Sequence, residues 1–175
     1  SPASTQYLTD VVKINSQKVQ LVMNGVAPRK DYSIEQIHKL KEDLHIKNDT
    51  IVIGSTGRMI DDNTKRFSDL IKAFKKIKAN YSEVKLVLVG EGRLIEEYKK
   101  LAQSLEIQDD VIFTGYQKEV DLYYSLFDIF TLVSANESFG LVLAEAMLKK
   151  LPIVATKVGG MQFIVKDNET GFLVE

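Results

Sequence analysis

Two glutamates eight positions apart bracket a short apolar run in the stretch ESFGLVLAE, residues 137–145. A carboxylate accepts hydrogen bonds from sugar hydroxyls, and the unpaired N–H groups at the start of a helix attract phosphate. If a helix begins near Ser138 or Phe139, eight residues correspond to a rise of about 12 Å. Both carboxylates can then address one elongated ligand, and that reach matches a nucleoside diphosphate sugar.

The two carboxylates have different predicted partners. Glu137 precedes the helix and is predicted to meet sugar hydroxyls on one side of the diphosphate. Glu145 lies inside the apolar run LVLAEAML, where an unpaired buried carboxylate is costly, so a partner or ligand is implied. We expect Glu145 to accept hydrogen bonds from ribose hydroxyls. The N–H groups of Phe139, Gly140 and Leu141 are predicted to hold phosphate, and Gly140 lets the ligand approach closely.

Two cations lie in the loop GRMIDDNTK, between an apolar strand-like run and a helical pattern. Arg58 and Lys65 can clamp a diphosphate if this loop follows the carboxyl end of a parallel strand, because open α/β sheets bind ligands there. The alternative is that both are solvated loop charges. The expected position at the sheet edge strengthens the clamp interpretation, and both interpretations stay open on these residues.

A second glycine-containing stretch, LVLVGEGRLIEEY, invites a dinucleotide-binding interpretation through the pattern G-x-G-x-x-G. Ile95 stands where the third glycine is needed, and the acidic residue required at the end of the next strand is missing. Gly90 and Gly92 therefore indicate a tight turn beside the ligand cleft.

No metal site is predicted. His38 and His45 have no further ligands nearby in the sequence, and the cluster Asp61-Asp62-Asn63 lacks the spaced D-x-D pattern. The absence of cysteine excludes thiolate zinc sites and disulfides. No Ser/His/Asp or Cys/His set can be assembled for nucleophilic catalysis.

These residues need a scaffold, and apolar strand-like runs alternate with helical patterns from about residue 19 onward. This alternation predicts an α/β fold with a doubly wound, mostly parallel, Rossmann-like sheet of about six strands. The predicted strands are VQLVM, IVIGS, KLVLVG, VIFTG, DIFTLVS and PIVAT. The predicted helices span Ser33–His45, Phe67–Tyr81, Leu94–Leu105, Glu119–Leu126 and Phe139–Lys149.

Length and charge restrict the remaining possibilities. The 175 residues are 45% hydrophobic and carry 23 basic against 24 acidic residues, which gives no basic field for nucleic acid. No apolar run is long enough to span a bilayer, and a cytoplasmic location is expected. We predict a lead-in segment at 1–18 that belongs to an upstream domain, and a single domain at 19–175 that stops before further carboxyl-terminal helices.

The ordered set of motifs resembles the carboxyl-terminal, donor-binding domain of family 4 retaining glycosyltransferases, one half of a GT-B fold. The resemblance covers nearly the whole chain, from KVQLVMNGV through LVLVGEGRLIEEYKKLA, VIFTGY and SANESFGLVLAEAM to LPIVATKVGGMQFIVKDNETGFLV. It implies a UDP-, GDP- or ADP-linked sugar donor and no metal or other cofactor. Arg58 and Lys65 then correspond to the basic pair on the diphosphate.

The same resemblance maps the E-x7-E motif onto Glu137 at the donor sugar, near its anomeric carbon, and Glu145 at the ribose. It implies transfer in glycan or polysaccharide biosynthesis, with the acceptor bound mainly by an amino-terminal domain, so this half alone is expected to be inactive. Membrane association is expected only through the full-length protein, at the inner face. Two alternatives stay open: another GT-B enzyme such as a nucleotide-sugar epimerase, or a non-catalytic nucleotide-binding module, which GGMQF at 159–163 motivates because the family commonly has glutamate at the last of these positions.

Overall fold

The computed structural model describes residues 1–60 and 62–175, so Asp61, one member of the acidic cluster considered above, lies outside the described residues. The strands are β1 (Ile51–Thr56), β2 (Val84–Val89), β3 (Val111–Gly115), β4 (Ile129–Leu132), β5 (Ile153–Thr156) and β6 (Gly171–Val174). The helices are α1 (Pro2–Asp10), α2 (Ile34–Asp43), α3 (Asp62–Lys65), α4 (Phe67–Lys78), α5 (Ile95–Ser104), α6 (Val120–Leu126), α7 (Leu141–Leu148) and α8 (Met161–Ile164), with a 3-10 turn at Ser16–Lys18.

The six strands form one sheet in the order β3-β2-β1-β4-β5-β6, and each ladder between neighbouring strands is parallel. The predicted doubly wound α/β fold is therefore confirmed. The direction of the chain along the sheet reverses between β1 and β4. In open sheets of this kind the ligand crevice lies at that reversal, outside the carboxyl ends of the two strands.

Alternate residues of the central strands enter different cores, as a strand buried on both faces requires. Val87 and Phe130 pack in the core shared with α2, α6 and α7, whereas Leu86 and Leu88 pack in the core shared with α4 and α5. Both faces of the sheet are thus covered, and the carboxyl-end loops are held by strands that cannot shift without opening a core.

One predicted strand is wrong. Residues 19–32, which include VQLVM, form no helix or strand, and Val22 is 74% exposed. The segment is rich in apolar residues, but it pairs with none of the six strands. The sixth strand is instead β6, which pairs with β5 from Ile153–Gly171 to Thr156–Val174.

The predicted helices are present with shorter bounds. The clearest difference is at α7, which begins at Leu141 instead of near Ser138 or Phe139, because Gly140 adopts φ 90° and ψ 53°. That left-handed conformation cannot belong to a right-handed helix. Residues 1–18 contain α1 and the 3-10 turn, and their assignment to an upstream domain stays a prediction.

Candidate functional site

Arg58 and Glu145 line one open cleft of about 600 Å³ at the reversal point of the sheet. Arg58 lies two residues beyond β1, and Glu145 lies in the second turn of α7, which follows β4. The cleft is also lined by Thr56, Gly90, Gly92, Tyr116, Gln117 and Val142. Residues 87 positions apart in the chain therefore line one cleft, which Gly90 and Gly92 also border.

Arg58 is exposed and accessible to an anion. Over residues 1–60 and 62–175 its guanidinium forms no ion pair. An arginine fork without a carboxylate partner, at the mouth of a cleft, suits bidentate contact with a phosphate.

Lys65 contacts the other predicted carboxylate. Its Nζ donates to Glu137 Oε2 at 2.6 Å, and both side chains are largely buried, with 24% and 18% exposure. The aliphatic part of Lys65 passes beside Gly57, the residue before Arg58. The structure thus pairs Lys65 with Glu137, and neither side chain is among those that line the cleft of Arg58 and Glu145. Within the described residues Lys65 Nζ has one acceptor, so two of its three ammonium N–H donors are available for another.

The start of α7 requires a correction to the predicted phosphate seat. Because Gly140 is the N-cap, Phe139 lies outside the helix, and the N–H groups at the helix start belong to Gly140, Leu141, Val142 and Leu143. The last of these donates to the Gly140 carbonyl at 2.9 Å. The positive helix end is therefore displaced by two residues toward the carboxyl terminus, and Val142, which lines the cleft, joins Gly140 and Leu141 as a donor.

Glu137 lies beside this helix start, with its Cγ 3.6 Å from the position that a Cβ on Gly140 would occupy. The loop after β5 packs against the backbone of Glu137. The Gly160 N–H donates to the Glu137 carbonyl at 2.8 Å, and a Cβ on Gly159 would lie only 2.0 Å from that carbonyl oxygen. The glycine pair thus lets two backbones approach closely and fixes the Glu137 loop.

Glu145 has partners within the chain. Its Oε2 accepts from the Tyr124 hydroxyl at 2.9 Å, and its Oε1 lies 3.3 Å from Arg29 Nη1. Tyr124 is fully buried, and its hydroxyl also contacts Thr56 Oγ1 at 3.0 Å. Burial, together with the negative charge of Glu145, raises the pKa of the phenol, so it stays a donor. The prediction that Glu145 needs a partner was correct, but the partner found here is not a ligand.

Arg29 was missed by sequence reasoning. It lies in the irregular segment 19–32, and its guanidinium also contacts Asp121, with Nε 2.6 Å from Oδ1, and the face of Tyr124, whose ring centre is 5.8 Å away. The Arg29–Glu145 contact joins residues 116 positions apart. Neither the periodicity of GVAPRKDY nor a local motif in it predicts such a contact.

The described part of the chain gives no candidate metal centre: its His, Asp and Glu side chains form no group of three that could hold a metal ion. His38 and His45 are both exposed. Independence of metal stays a prediction. Across the same residues, every helix is too short or too polar to cross a bilayer.

Arg58, Glu145 and Val142 at the start of α7 line the cleft at the reversal point of this Rossmann-like sheet, and the Lys65–Glu137 ion pair lies beside the same helix start. A family model described as glycosyl transferases group 1 matches residues 36–175. The chain belongs to this family. It is a carboxyl-terminal, donor-binding type of domain with the fold of one half of a GT-B glycosyltransferase.

Curated glycosyltransferase relatives match most of this domain. N-acetyl-alpha-D-glucosaminyl L-malate synthase of Bacillus anthracis is 35% identical over 147 residues, which are 84% of the chain and 35% of the relative. Trehalose synthase of Thermococcus litoralis is 30% identical over 176 aligned positions, covering 93% of the chain and 42% of the relative. The glycosyltransferase domain thus spans well under half the length of these relatives.

A solved structure supports the same relationship. Alr3699/HepE of Anabaena in complex with UDP-glucose superimposes with a TM-score of 0.87 at 27% identity, over 99% of this chain and 48% of that protein. A glycosyltransferase from Rickettsia africae has a TM-score of 0.89 at 24% identity, a likeness that concerns the fold alone.

Proposed function

We propose that the chain is the donor-binding half of a retaining glycosyltransferase that transfers a sugar from a nucleoside diphosphate sugar. The observation that carries this proposal is the shared cleft: Arg58 and Glu145 line it together, beside the open start of α7. In this proposal the diphosphate lies at the helix start, the nucleoside lies toward Glu145, and the donor sugar lies toward Glu137.

Departure of the nucleoside diphosphate is the step that these residues would assist. When the bond between the sugar and the diphosphate breaks, negative charge develops on the leaving oxygen, and preorganised donors stabilise it. Such donors are the guanidinium of Arg58, the remaining N–H groups of Lys65, and the backbone N–H groups of Leu141 and Val142. We propose that this step needs no metal, with cations and a helix end supplying the positive charge.

Glu137 is placed in this scheme at the donor sugar. Its ion pair with Lys65 holds the carboxylate beside the helix start, where it would meet the sugar hydroxyls and stabilise positive charge that develops at the anomeric carbon. This role is electrostatic and requires no covalent intermediate. Retention of configuration follows in this proposal if the acceptor attacks from the side that the diphosphate leaves.

A uridine diphosphate sugar is the first donor to test, because Alr3699/HepE was solved with UDP-glucose and with UDP. GDP- and ADP-linked sugars are the comparison set. We propose that the acceptor is held mainly by the other half of the GT-B fold, that the present half does not transfer sugar alone, and that the complete protein acts in the cytoplasm in glycan synthesis.

Calorimetric titration of the chain with UDP, GDP, ADP and UDP-glucose tests the proposal. We expect one diphosphate to bind, and Arg58→Ala and Glu145→Ala each to weaken that binding about tenfold or more, because each removes a charge-assisted hydrogen bond. Lys99→Ala is the control, since Lys99 is exposed on α5 and pairs only with Glu96 among the described residues. Its affinity should equal that of the unmodified chain.

Two outcomes would contradict the proposal. The first is that none of the diphosphates binds. The second is binding that neither the Arg58 nor the Glu145 substitution changes, since the ligand would then lie elsewhere. A complete parent protein that binds the donor but neither transfers nor hydrolyses it would instead indicate the non-catalytic module.

A further inference from the structure

We infer that Arg29 is a positioning residue for nucleoside binding: it fixes the Glu145 carboxylate so that both of its oxygens can accept a hydroxyl of one ribose. This inference rests on the proposed function and extends the donor site to segment 19–32, which precedes the residues that the family model matches. It assigns no direct contact between Arg29 and the donor.

Arg29 is held too firmly to be a loose surface charge. Its side chain is 16% exposed, and its Nε lies 2.6 Å from Asp121 Oδ1, so the guanidinium plane is fixed from one side. Asp121 Oδ2 also accepts the backbone N–H of Lys30 at 2.9 Å, which pins the chain next to Arg29. The remaining Nη1 group is thereby aimed at Glu145.

Counting acceptor positions shows what this arrangement leaves available. An ionised carboxylate has about four lone-pair positions, two on each oxygen. Tyr124 uses one position on Oε2 and Arg29 uses one on Oε1. Since the described residues supply no further donor to this carboxylate, one position remains on each oxygen, and the two O–H groups of a vicinal diol can fill them. The same two contacts prevent the carboxylate from rotating away from this orientation.

Loss of Arg29 would therefore alter ribose recognition without touching the ribose. The Glu145 side chain is 23% exposed, and without Arg29 it keeps one donor among the described residues, the neutral hydroxyl of Tyr124. A carboxylate so placed can rotate toward solvent, and its two free acceptor positions no longer face one diol. Arg29→Lys keeps the charge but loses the fork that reaches Asp121 and Glu145 together, so it should restore binding only in part.

The test compares a nucleoside diphosphate with its 2′,3′-dideoxy form. The probe is whichever of UDP, GDP and ADP binds the unmodified chain most tightly, and calorimetry gives the ratio of the two dissociation constants. We expect the unmodified chain to prefer the ribose form by about a hundredfold or more, as two hydrogen bonds to a charged group imply. Arg29→Ala should reduce this preference to about twofold, with Arg29→Lys between them. Affinity for the dideoxy form should stay unchanged within about twofold.

Lys30→Ala is the matched control, because it removes the adjacent cation, whose side chain is 60% exposed and pairs with Glu119. It should keep the full ribose preference. If Arg29→Ala lowers affinity for both forms equally, or leaves the preference intact, the inference is wrong. If Glu145→Ala also keeps the preference, the assignment of Glu145 to the ribose fails, and the proposed function fails with it. Thermal unfolding of each variant separates these outcomes from loss of the fold.

Discussion

Two clusters of charged side chains lie at opposite ends of the sheet, and they use their charges differently. At the amino ends of β2 and β3, Asp110 accepts from Lys78 at 3.0 Å and from Lys85 at 2.9 Å. At the carboxyl ends, Glu145 accepts from Arg29 and Tyr124. The acidic side chains are similarly shielded, with 19% and 23% exposure.

The difference lies in what each cluster leaves unused. The ammonium group of Lys78 also donates to the carbonyls of Ser82 and Val84, and that of Lys85 to the carbonyl of Asp109. The cavity there is about 180 Å³, against about 600 Å³ at the carboxyl ends. The Asp110 cluster therefore uses its charges within the fold, whereas the Glu145 cluster keeps acceptor positions that face an open cleft. Similar burial of a carboxylate does not by itself indicate a binding site.

The largest expected effect breaks the closed cluster. Asp110→Ala leaves two largely buried ammonium groups without their carboxylate, and we expect the free energy of unfolding to fall by about 2 kcal/mol. Affinity for the nucleoside diphosphate should not change, because the cluster lies at the far end of the sheet. Denaturant unfolding and calorimetry measure the two quantities. A loss of affinity with unchanged stability would reverse the comparison.

Acidification should reveal the same cluster. Burial opposes ionisation of Asp110, but its hydrogen bonds and charge interactions with Lys85 and Lys78 outweigh this and hold its pKa below the ordinary value. Its contribution to stability is therefore present above the unfolded-state pKa of about 4 and is lost as pH falls through the lower folded-state pKa.

Denaturant unfolding at neutral pH and at about pH 3 measures this contribution. The stability gap between the unmodified chain and Asp110→Asn should narrow in acid. A gap of constant size across that range would mean that ionisation of Asp110 contributes nothing.

A smaller loss of stability is expected from Tyr124→Phe, which tests the cluster around Glu145. The change removes the hydroxyl that bridges Thr56 and Glu145 and should lower the unfolding free energy by about 1 kcal/mol. Nucleotide affinity should fall about threefold, because Glu145 keeps Arg29 but loses one constraint. Equal affinity in the variant would show that Arg29 alone is sufficient to orient the carboxylate.

The smallest effect belongs to an ion pair in neither cluster. Lys99 and Glu96 pair at 2.8 Å on α5 with 51% and 75% exposure. Lys99→Ala should change the unfolding free energy by at most about 0.5 kcal/mol, and raised salt should remove that difference. A change above about 1 kcal/mol would show that exposure is a poor guide to the value of ion pairs in this chain.

The fold was largely predictable because buried parallel strands produce apolar runs that the intervening helical patterns separate clearly. The errors arose where apolar pattern and pairing disagree. VQLVM has the composition of a strand but pairs with none of the six strands, whereas β6, the GFLV of GFLVE, joins the sheet by pairing with β5. Pairing between distant segments is invisible in local periodicity.

The site was predictable to the extent that its chemistry is local. Glu137 and Glu145 are close in sequence, and Arg58 lies in a loop whose position follows from strand polarity. The start of α7 was misplaced because Gly140 serves as a left-handed N-cap, a conformation that the sequence permits without demanding. Arg29 could not be found, since its partners lie 92 and 116 positions away and meet it only in three dimensions.

Arg29 is held by its contacts in an otherwise irregular stretch, so its cleavage by trypsin can report how often this stretch opens. Trypsin must draw an arginine side chain into its own pocket, so hydrolysis after Arg29 has to wait until this stretch lifts away from Asp121 and Glu145. Lys18, exposed in the 3-10 turn just before this stretch, needs no such release. The ratio of the two cleavage rates therefore reports how often the contacts of Arg29 with Asp121 and Glu145 break. A bound nucleotide should slow cleavage after Arg29 and leave cleavage after Lys18 unchanged.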